Sequence, residues 1–329
     1  MTPSNVLVLG SNSFSGLSTT KLLLRKGLFV VGISRTSKLP LCYRPFDQDN
    51  VNYKAYALGS NPDPSTIVEI CKKEKVDQII NFAAQSMVAE SWNNPEDWYT
   101  TNCAWLSSLV LSLIQWGGVK KFVNFSTPEV YGSTNEWTTE NFTFNPTTPY
   151  AISRAAGDLH LRAVRIAEGF PVLFVRTANI YGPCQPRYRI IPKAILASLA
   201  GGKFPIHGGG LSRRSFVFCD DVAEAVYRIL LKGKFGETYH VSGEESITIL
   251  DLVKLIFELR GLDAANFIEL TDDRKGKDGA YLLSSAKIRK ELGWADSVTL
   301  QEGLERTINW ALANESELRL VPSEYFHRR

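Results

Sequence analysis

The stretch PYAISRAAGD, residues 149–158, places Tyr150 four residues before Arg154. On a helix the two side chains share one face. A tyrosine phenol ionises near pH ~10, so it serves as a base near neutrality only beside a positive charge. Arginine carries that charge permanently, on a planar fork and not on a compact ammonium. The reacting oxygen also needs a hydroxyl donor. NFSTPEVYG (124–132) offers Ser126 and Thr127, with Glu129 just beyond, at the end of an apolar run that reads as a strand. In open α/β sheets ligands bind at the carboxyl edge of the strands. Taken singly, a Tyr–Arg pair on a helix is more often a surface pair, and a glutamate at a strand end is more often solvated. Their occurrence together, in this order and after a glycine-rich loop, is what indicates a site.

These residues need a framework to bring them together. NVLVL (5–9), LFVVGIS (28–34), VDQIINFA (76–83), KKFVNFST (120–127) and FPVLFVRT (170–177) are apolar runs separated by helical patterns. Strands alternating with helices predict a doubly wound α/β fold, with a parallel sheet covered on both faces. VLGSNSFSG joins the first run to the first helix, and Gly10 and Gly16 bracket its turn. Backbone N–H groups at a helix start bind pyrophosphate, and glycines allow close approach. Ser13 stands where a middle glycine is usual, flanked by Asn12 and Phe14. No acid lies at 32–36 to take ribose hydroxyls, and Arg35 there leans toward a 2′-phosphate and hence NADP over NAD. After Arg176 prolines and glycines interrupt the pattern. Helices near 219–232, 247–261, 284–292 and 300–313 then predict a smaller, mostly helical C-terminal α/β lobe. The expected division is 1–178 with a returning segment 215–240, against 179–214 and 241–329.

Composition narrows the classes. The chain has 329 residues, 44% hydrophobic and 22% charged, with net charge +3. That length allows two lobes, and that charge is too mild for a nucleic-acid binder. Cys42, Cys71, Cys103, Cys184 and Cys219 form no CxxC pair, which predicts free thiols in a reducing compartment and no metal site. The opening residues carry no secretory pattern, and no apolar run reaches membrane-span length, so a cytoplasmic protein with no membrane partner is expected. From Gly169 to Cys219 there is no Asp or Glu, while Arg176, Arg187, Arg189, Lys193, Lys203, Arg213 and Arg214 fall in that window. Such a segment suits an anionic ligand such as pyrophosphate, or pairs with acids from elsewhere in the fold.

With these residues in view, the chain resembles the extended short-chain dehydrogenases/reductases that modify nucleotide-sugars, most of all the NDP-hexose 4,6-dehydratases. The resemblance runs through NFAAQSMVAESWNNP, STPEVYG, PYAISRAAGD, RTANIYGP, RRSFVFCDDVAEAV and ELGW, nearly the whole chain. It implies a Rossmann domain, a recycled NAD or NADP, and a nucleotide-sugar-binding lobe. Tyr150 is implied to take the sugar C4 hydroxyl proton, and Thr127 (with Ser126 beside it) to bond the C4 oxygen. Arg154 is implied to replace the lysine that holds the nicotinamide ribose. Gly10, Asn12, Ser13, Phe14, Gly16, Arg35, Ala83 and Ala84 are implied to hold the cofactor. Ser86, Asn179, Lys193, Arg214 and Arg274 are implied to hold the sugar or its phosphates. Glu129 matches the dehydratase base that removes the acidic C5 proton once C4 is a ketone. Pro128 stands where the dehydratases place an Asp, and it cannot donate a proton. The alternatives are a 4-epimerase or 4-ketoreductase on the same substrates, and, in another class, a non-catalytic NAD(P)-binding regulatory subunit. The apolar stretch WYTTNCAWLSSLVLSLIQWGG (98–118) predicts burial on two sides, and the resemblance implies a homodimer through it and the Tyr150 helix.

Overall fold

The structure is a computed structural model that describes residues 5–36, 39–134, 136–271 and 280–327. Its main sheet has seven strands: β1 (Asn5–Leu9), β2 (Val30–Ser34), β3 (Tyr53–Ala57), β4 (Val76–Asn81), β5 (Lys121–Ser126), β6 (Val172–Thr177) and β7 (Thr238–Val241). All pair in parallel, in the order β7-β6-β5-β4-β1-β2-β3. The inner strands are continuous apolar runs because both faces are covered, as a parallel sheet requires. Val6, Val8, Val123 and Val175 face α1 (Phe14–Arg25) and α6 (Cys219–Lys232) through Leu23, Val222 and Ile229. Leu7, Leu9, Phe122 and Phe174 face the other layer. That layer is α2 (Pro64–Lys73), α3 (Leu106–Trp116) and α4 (Pro149–Glu168). Chain order reverses between β1 and β4, which opens a crevice at their carboxyl ends.

The doubly wound Rossmann-like sheet expected from the alternating runs is therefore present, with two strands that the hydrophobic pattern does not announce. β3 (YKAYA) lies on the sheet edge with only Tyr53 buried, so it lacks an apolar run. β7 is four residues long and fully buried. It follows α6, which packs on α1.

A third core joins α5 (Ile190–Ala200), α7 (Ile249–Leu259) and α8 (Leu300–Ala313) through Ile191, Ile195, Leu252, Ile256, Leu304 and Ile308. Short strands flank it, including Arg213–Arg214 paired with Ile247–Thr248 and Ala280–Leu283. Phe14, at the start of α1, packs against this third core, so the glycine loop is braced by both parts of the molecule. All five cysteines are free, and burial pushes the Cys71, Cys184 and Cys219 thiols up to about 12. Among the described residues no helix is long and apolar enough to cross a membrane.

Candidate active site

The glycine loop closes tightly on itself. Gly10 has φ +75°, and a Cβ there would stand 2.9 Å from the Ala83 nitrogen; a Cβ on Gly16 would stand 2.3 Å from the Gly10 carbonyl oxygen. Both positions exclude a side chain, so bare backbone faces the crevice at the start of α1. Ser13 caps α1, its hydroxyl accepting the Gly16 N–H at 3.1 Å. The serine in the middle of the motif is thus a helix cap, the ordinary use of serine at that position. Asn12 Nδ2 donates to the Thr36 carbonyl at 2.6 Å and ties the loop to the end of β2. Gly10, Asn12, Ser13, Arg35, Ala83 and Ala84 line one cavity of about 350 Å³. A dinucleotide fits this lining: backbone donors at a helix start, small residues at 83 and 84, and a cation at the β2 edge.

Tyr150 enters from α4. Thr148 caps that helix by accepting the Ala151 N–H at 3.1 Å, and Pro149 occupies its first turn. The Tyr150 ring is 8% exposed, and the Thr127 hydroxyl stands near enough to its phenol to favour the charged form. Burial and the Glu129 carboxylate raise the Tyr150 phenol, while the Arg154 and Arg189 guanidiniums oppose the rise. Arg154 is buried, with Nη2 donating to the Phe125 carbonyl, and among the described residues its Nε has no hydrogen-bond partner. One Glu129 carboxylate oxygen is shielded from solvent. Thr127, Glu129, Tyr150 and Arg154 therefore form one group, a hydroxyl, a carboxylate, a phenol and a cation, with Arg189 near enough for its charge to reach the phenol.

Ser126 is placed differently from its expected role. Its hydroxyl donates to Asp158 Oδ2 at 2.7 Å, beneath α4, where it is 6% exposed. Neighbouring residues on a strand point to opposite faces, and the one that reaches Tyr150 is Thr127. Asp158 also accepts from Asn124 Nδ2 at 3.0 Å and from Arg176 Nη2 at 2.9 Å. Arg176 is 0% exposed and sits against the rings of Tyr131, Phe142 and Phe144. Tyr131 meets His240 Nε2 at 2.8 Å, and burial pushes that imidazole down to about 3, so it is neutral near pH 7. This network fixes β5, β6 and α4 under the reacting group.

Asn102 supplies a second brace. Its amide exchanges hydrogen bonds with the Gln85 backbone, at 2.9 Å each way, and donates to Ser153 Oγ at 2.9 Å. It lies in a π-helical turn, Thr100–Trp105, that presses on α4 at Gly157, where a Cβ would come within 2.6 Å of the Asn102 carbonyl. Asn102 and Asp158 carry no local sequence signal; their partners lie 17 to 51 residues away.

Among the described residues, none of the other expected substrate residues lines the cavity at the glycine loop. Ser86 is exposed on the loop after β4. Asn179 heads a short strand, Asn179–Tyr181, paired with Phe216–Phe218. Arg214 is buried with its guanidinium 4.1 Å from the Tyr281 ring centroid. Lys193 is ion-paired with Glu324 at 3.1 Å. Arg274 lies outside the described residues. Much of the basic window is internally satisfied: Arg176 by Asp158, Arg187 by the Leu318 and Val321 carbonyls, and Arg213 by Ser246. The Arg189 guanidinium lies 5.6 Å from the Tyr188 ring centroid, near enough for its charge to reach Tyr150.

Fold and site together define a dinucleotide-binding α/β protein with a tyrosine–arginine pair at the sheet's carboxyl edge. The family model for GDP-mannose 4,6 dehydratase matches residues 7–307, and the chain belongs to that family. It is 31% identical to a dTDP-glucose 4,6-dehydratase of Xanthomonas campestris, over 79% of this chain and 80% of that one. It is also 31% identical to a trifunctional UDP-glucose 4,6-dehydratase/UDP-4-keto-6-deoxy-D-glucose 3,5-epimerase/UDP-4-keto-L-rhamnose-reductase of Arabidopsis thaliana, covering 95% of this chain and 48% of that one. The chain thus spans about half the length of that plant relative. Among solved structures, the dTDP-glucose 4,6-dehydratase DesIV of Streptomyces venezuelae, with NAD and TYD bound, superposes with TM-score 0.85 at 30% identity, covering 95% and 98% of the two chains. A UDP-glucose 4-epimerase of Thermotoga maritima, with UDP-glucose, superposes with TM-score 0.86 at 27% identity, covering 94% and 99%.

Proposed function

We propose that the chain is a nucleotide-sugar 4,6-dehydratase that holds a nicotinamide dinucleotide in the crevice between β1 and β4. The observation that carries this reading is Glu129 beside the Thr127–Tyr150 pair, close enough for its charge to act on the phenol. Gly10, Gly16 and the start of α1 hold the pyrophosphate, with Asn12, Phe14, Ala83 and Ala84 around it. Relatives solved with NAD favour that cofactor, while Arg35 in the cavity lining is the feature suited to NADP. When bound there, the nicotinamide would supply the hydride acceptor for oxidation at the sugar C4 and the hydride donor for reduction at C6.

The chain's own residues move the protons. Tyr150 accepts the C4 hydroxyl proton while Thr127 holds that oxygen; burial and Glu129 raise the phenol, and Arg154 and Arg189 oppose that rise by favouring its charged form. Glu129 then takes the C5 proton, which the new C4 carbonyl has made acidic. The C6 hydroxyl must gain a proton to leave as water. Pro128 has none to give, so the protonated Glu129 donates the one it has just received; as hydride reaches C6, Glu129 delivers a proton drawn from solvent to C5, and Tyr150 releases to solvent the proton it took from the C4 hydroxyl. Ser86, Asn179, Lys193, Arg214 and Arg274 are assigned to the nucleotide-sugar. Ser126 serves by holding Asp158.

Pro128 is the feature that favours a second reading, a 4-epimerase, which needs no acid for a leaving hydroxyl. Mass spectrometry of the purified chain incubated with NAD, NADP and a panel of UDP-, dTDP-, GDP- and CDP-sugars separates the two. The dehydratase yields a product lighter by one water. An isomeric product of unchanged mass rejects that assignment in favour of epimerisation, and absence of turnover across the panel counts against both.

A homodimer is proposed from the same helices. On α4, Ile152, Leu159 and Ile166 are 42%, 45% and 76% exposed, seven residues apart, and Leu111 on the neighbouring α3 is 56% exposed. Seven-residue spacing keeps an apolar stripe on one helix face, and a second copy related by a two-fold axis covers it. The chain is expected to sediment as a dimer at micromolar concentration. Leu159→Asp with Ile166→Asp should weaken association by roughly 100-fold or more, given ~1.5–3 kcal/mol per buried aliphatic side chain. A wild-type monomer at that concentration rejects the interface.

A further inference from the structure

Residues 321–327 run across the mouth of the dinucleotide cleft. The chain reaches them from α8 through a short helix, Glu315–Leu320, in which Leu318 is fully buried in the third core. The Glu317 carboxylate accepts the Leu41 and Cys42 N–H groups at 2.6 and 2.9 Å, and Arg187 Nη1 donates to the Leu318 and Val321 carbonyls at 2.7 Å each. The segment is thereby launched from a fixed point over the loop after β2. Glu324 then pairs with Lys193 at 3.1 Å, and the Tyr325 ring meets Tyr188 edge-on at 5.5 Å. The His327 ring stacks on Trp98 at 4.8 Å, with Nε2 2.8 Å from the Asp97 carboxylate. Lys193 and Tyr188 lie at and before α5, on one side of the cleft. Asp97 and Trp98 lie just before α3, on the other. The segment therefore bridges both.

What it covers is the cavity already described. Pro322, Tyr325 and Phe326 line the same space as Gly10, Ser13, Arg35 and Ala83. Phe326 is 76% exposed, an aromatic ring left at the rim of that space. The glycine loop and the two alanines share the lining with Leu9, Ile33 and Phe82, and the rings of Tyr325 and Phe326 add aromatic surface from the segment. In the reaction proposed above the cofactor ends each cycle in the redox state in which it began, so it has no need to leave.

We propose that residues 321–327 form a strap that retains the dinucleotide in its cleft, fastened by Tyr325 on Tyr188 and by His327 on Trp98 and Asp97. The strap rests on the nicotinamide-dinucleotide reading of the crevice and adds the residues that set how long the cofactor stays. Its test is the rate at which the full chain, loaded with NAD, releases it to a fluorescent NAD analogue in stopped flow. Tyr325→Ala with His327→Ala should release NAD roughly tenfold faster, because the fastenings are aromatic contacts of about that combined strength. Tyr325→Phe keeps the ring contact and loses only a hydroxyl whose partners, Gln85 Oε1 at 3.5 Å and His327 Nδ1 at 3.4 Å, stand at the limit of a hydrogen bond. It should release NAD at nearly the wild-type rate, as should Ser323→Ala. Circular dichroism and thermal unfolding establish that the variants are folded. An unchanged release rate in the folded double variant overturns the strap while leaving the cofactor reading intact. So does a lowered KM for the sugar in Glu324→Gln with NAD release unaltered, which would make the segment a plug on the substrate side. Failure of the wild-type chain to bind NAD or NADP at all removes the cofactor reading, and the strap with it.

Discussion

Glu129→Gln is expected to lower dehydration by about 10³-fold, within the ~10²–10⁴ range for loss of a positioned acid–base group. The amide preserves the shape of the side chain and removes its capacity to take a proton from C5. Thr127, Tyr150 and Arg154 are untouched by the change, so oxidation at C4 should persist. Two measurements follow. The variant should accumulate a 4-ketosugar that has not lost water, detected by mass. It should also stop exchanging the C5 hydrogen with deuterated solvent. Dehydration at the wild-type rate in Glu129→Gln would sink the assignment, because the C5 base would then have to be another group. If Glu129 is also the acid that releases the C6 hydroxyl, as Pro128 demands, both proton transfers fail together, and raising the acidity of the buffer should restore neither.

The second large effect concerns stability. Asp158→Ala should destabilise the fold by about 3–5 kcal/mol, the cost of leaving one member of a buried ion pair without its partner. Arg176 is fully buried and bonded to Asp158 at 2.9 Å, so its charge cannot turn to water when the carboxylate is removed. The rings of Tyr131, Phe142 and Phe144 around it accept a cation on their faces but do not replace a carboxylate. Urea denaturation measures the loss. The pair itself is not what holds the fold together: Asp158→Leu combined with Arg176→Met should recover most of the stability, since two apolar residues of similar size avoid the desolvation penalty. The recovered double variant should still turn over slowly. Ser126 loses its acceptor on Asp158, and β5 no longer presents Thr127 to Tyr150 from a fixed position. A double variant with wild-type turnover would show that the network stabilises without positioning.

The sequence by itself determined what depends on near neighbours along the chain. The glycine loop between an apolar run and a helix, the four-residue spacing of Tyr150 and Arg154, and the five apolar runs of the sheet are local patterns, and each is where the sequence put it. Helical and strand periodicities are properties of a few consecutive residues, so they survive without knowledge of the fold. Even there the edge strand β3 and the short β7 were hidden, because neither carries an apolar run long enough to stand out.

Only the tertiary structure decided which of two adjacent hydroxyls faces the phenol. Ser126 and Thr127 are chemically alike and one residue apart. The pleat sends one under α4 to Asp158 and the other to Tyr150, and nothing in the string STPEVYG tells which way the strand lies. The basic window was ambiguous for the same reason. Its charges were legible, but the partners of Arg187 and Lys193 lie 131 and more residues further along the chain, and only packing brings them near. Asn102, Asp158 and residues 321–327 complete the list of what the string could not show. Their roles depend on contacts across 17 to 240 residues, made when a hydrophobic core, and not a local pattern, sets where the chain returns.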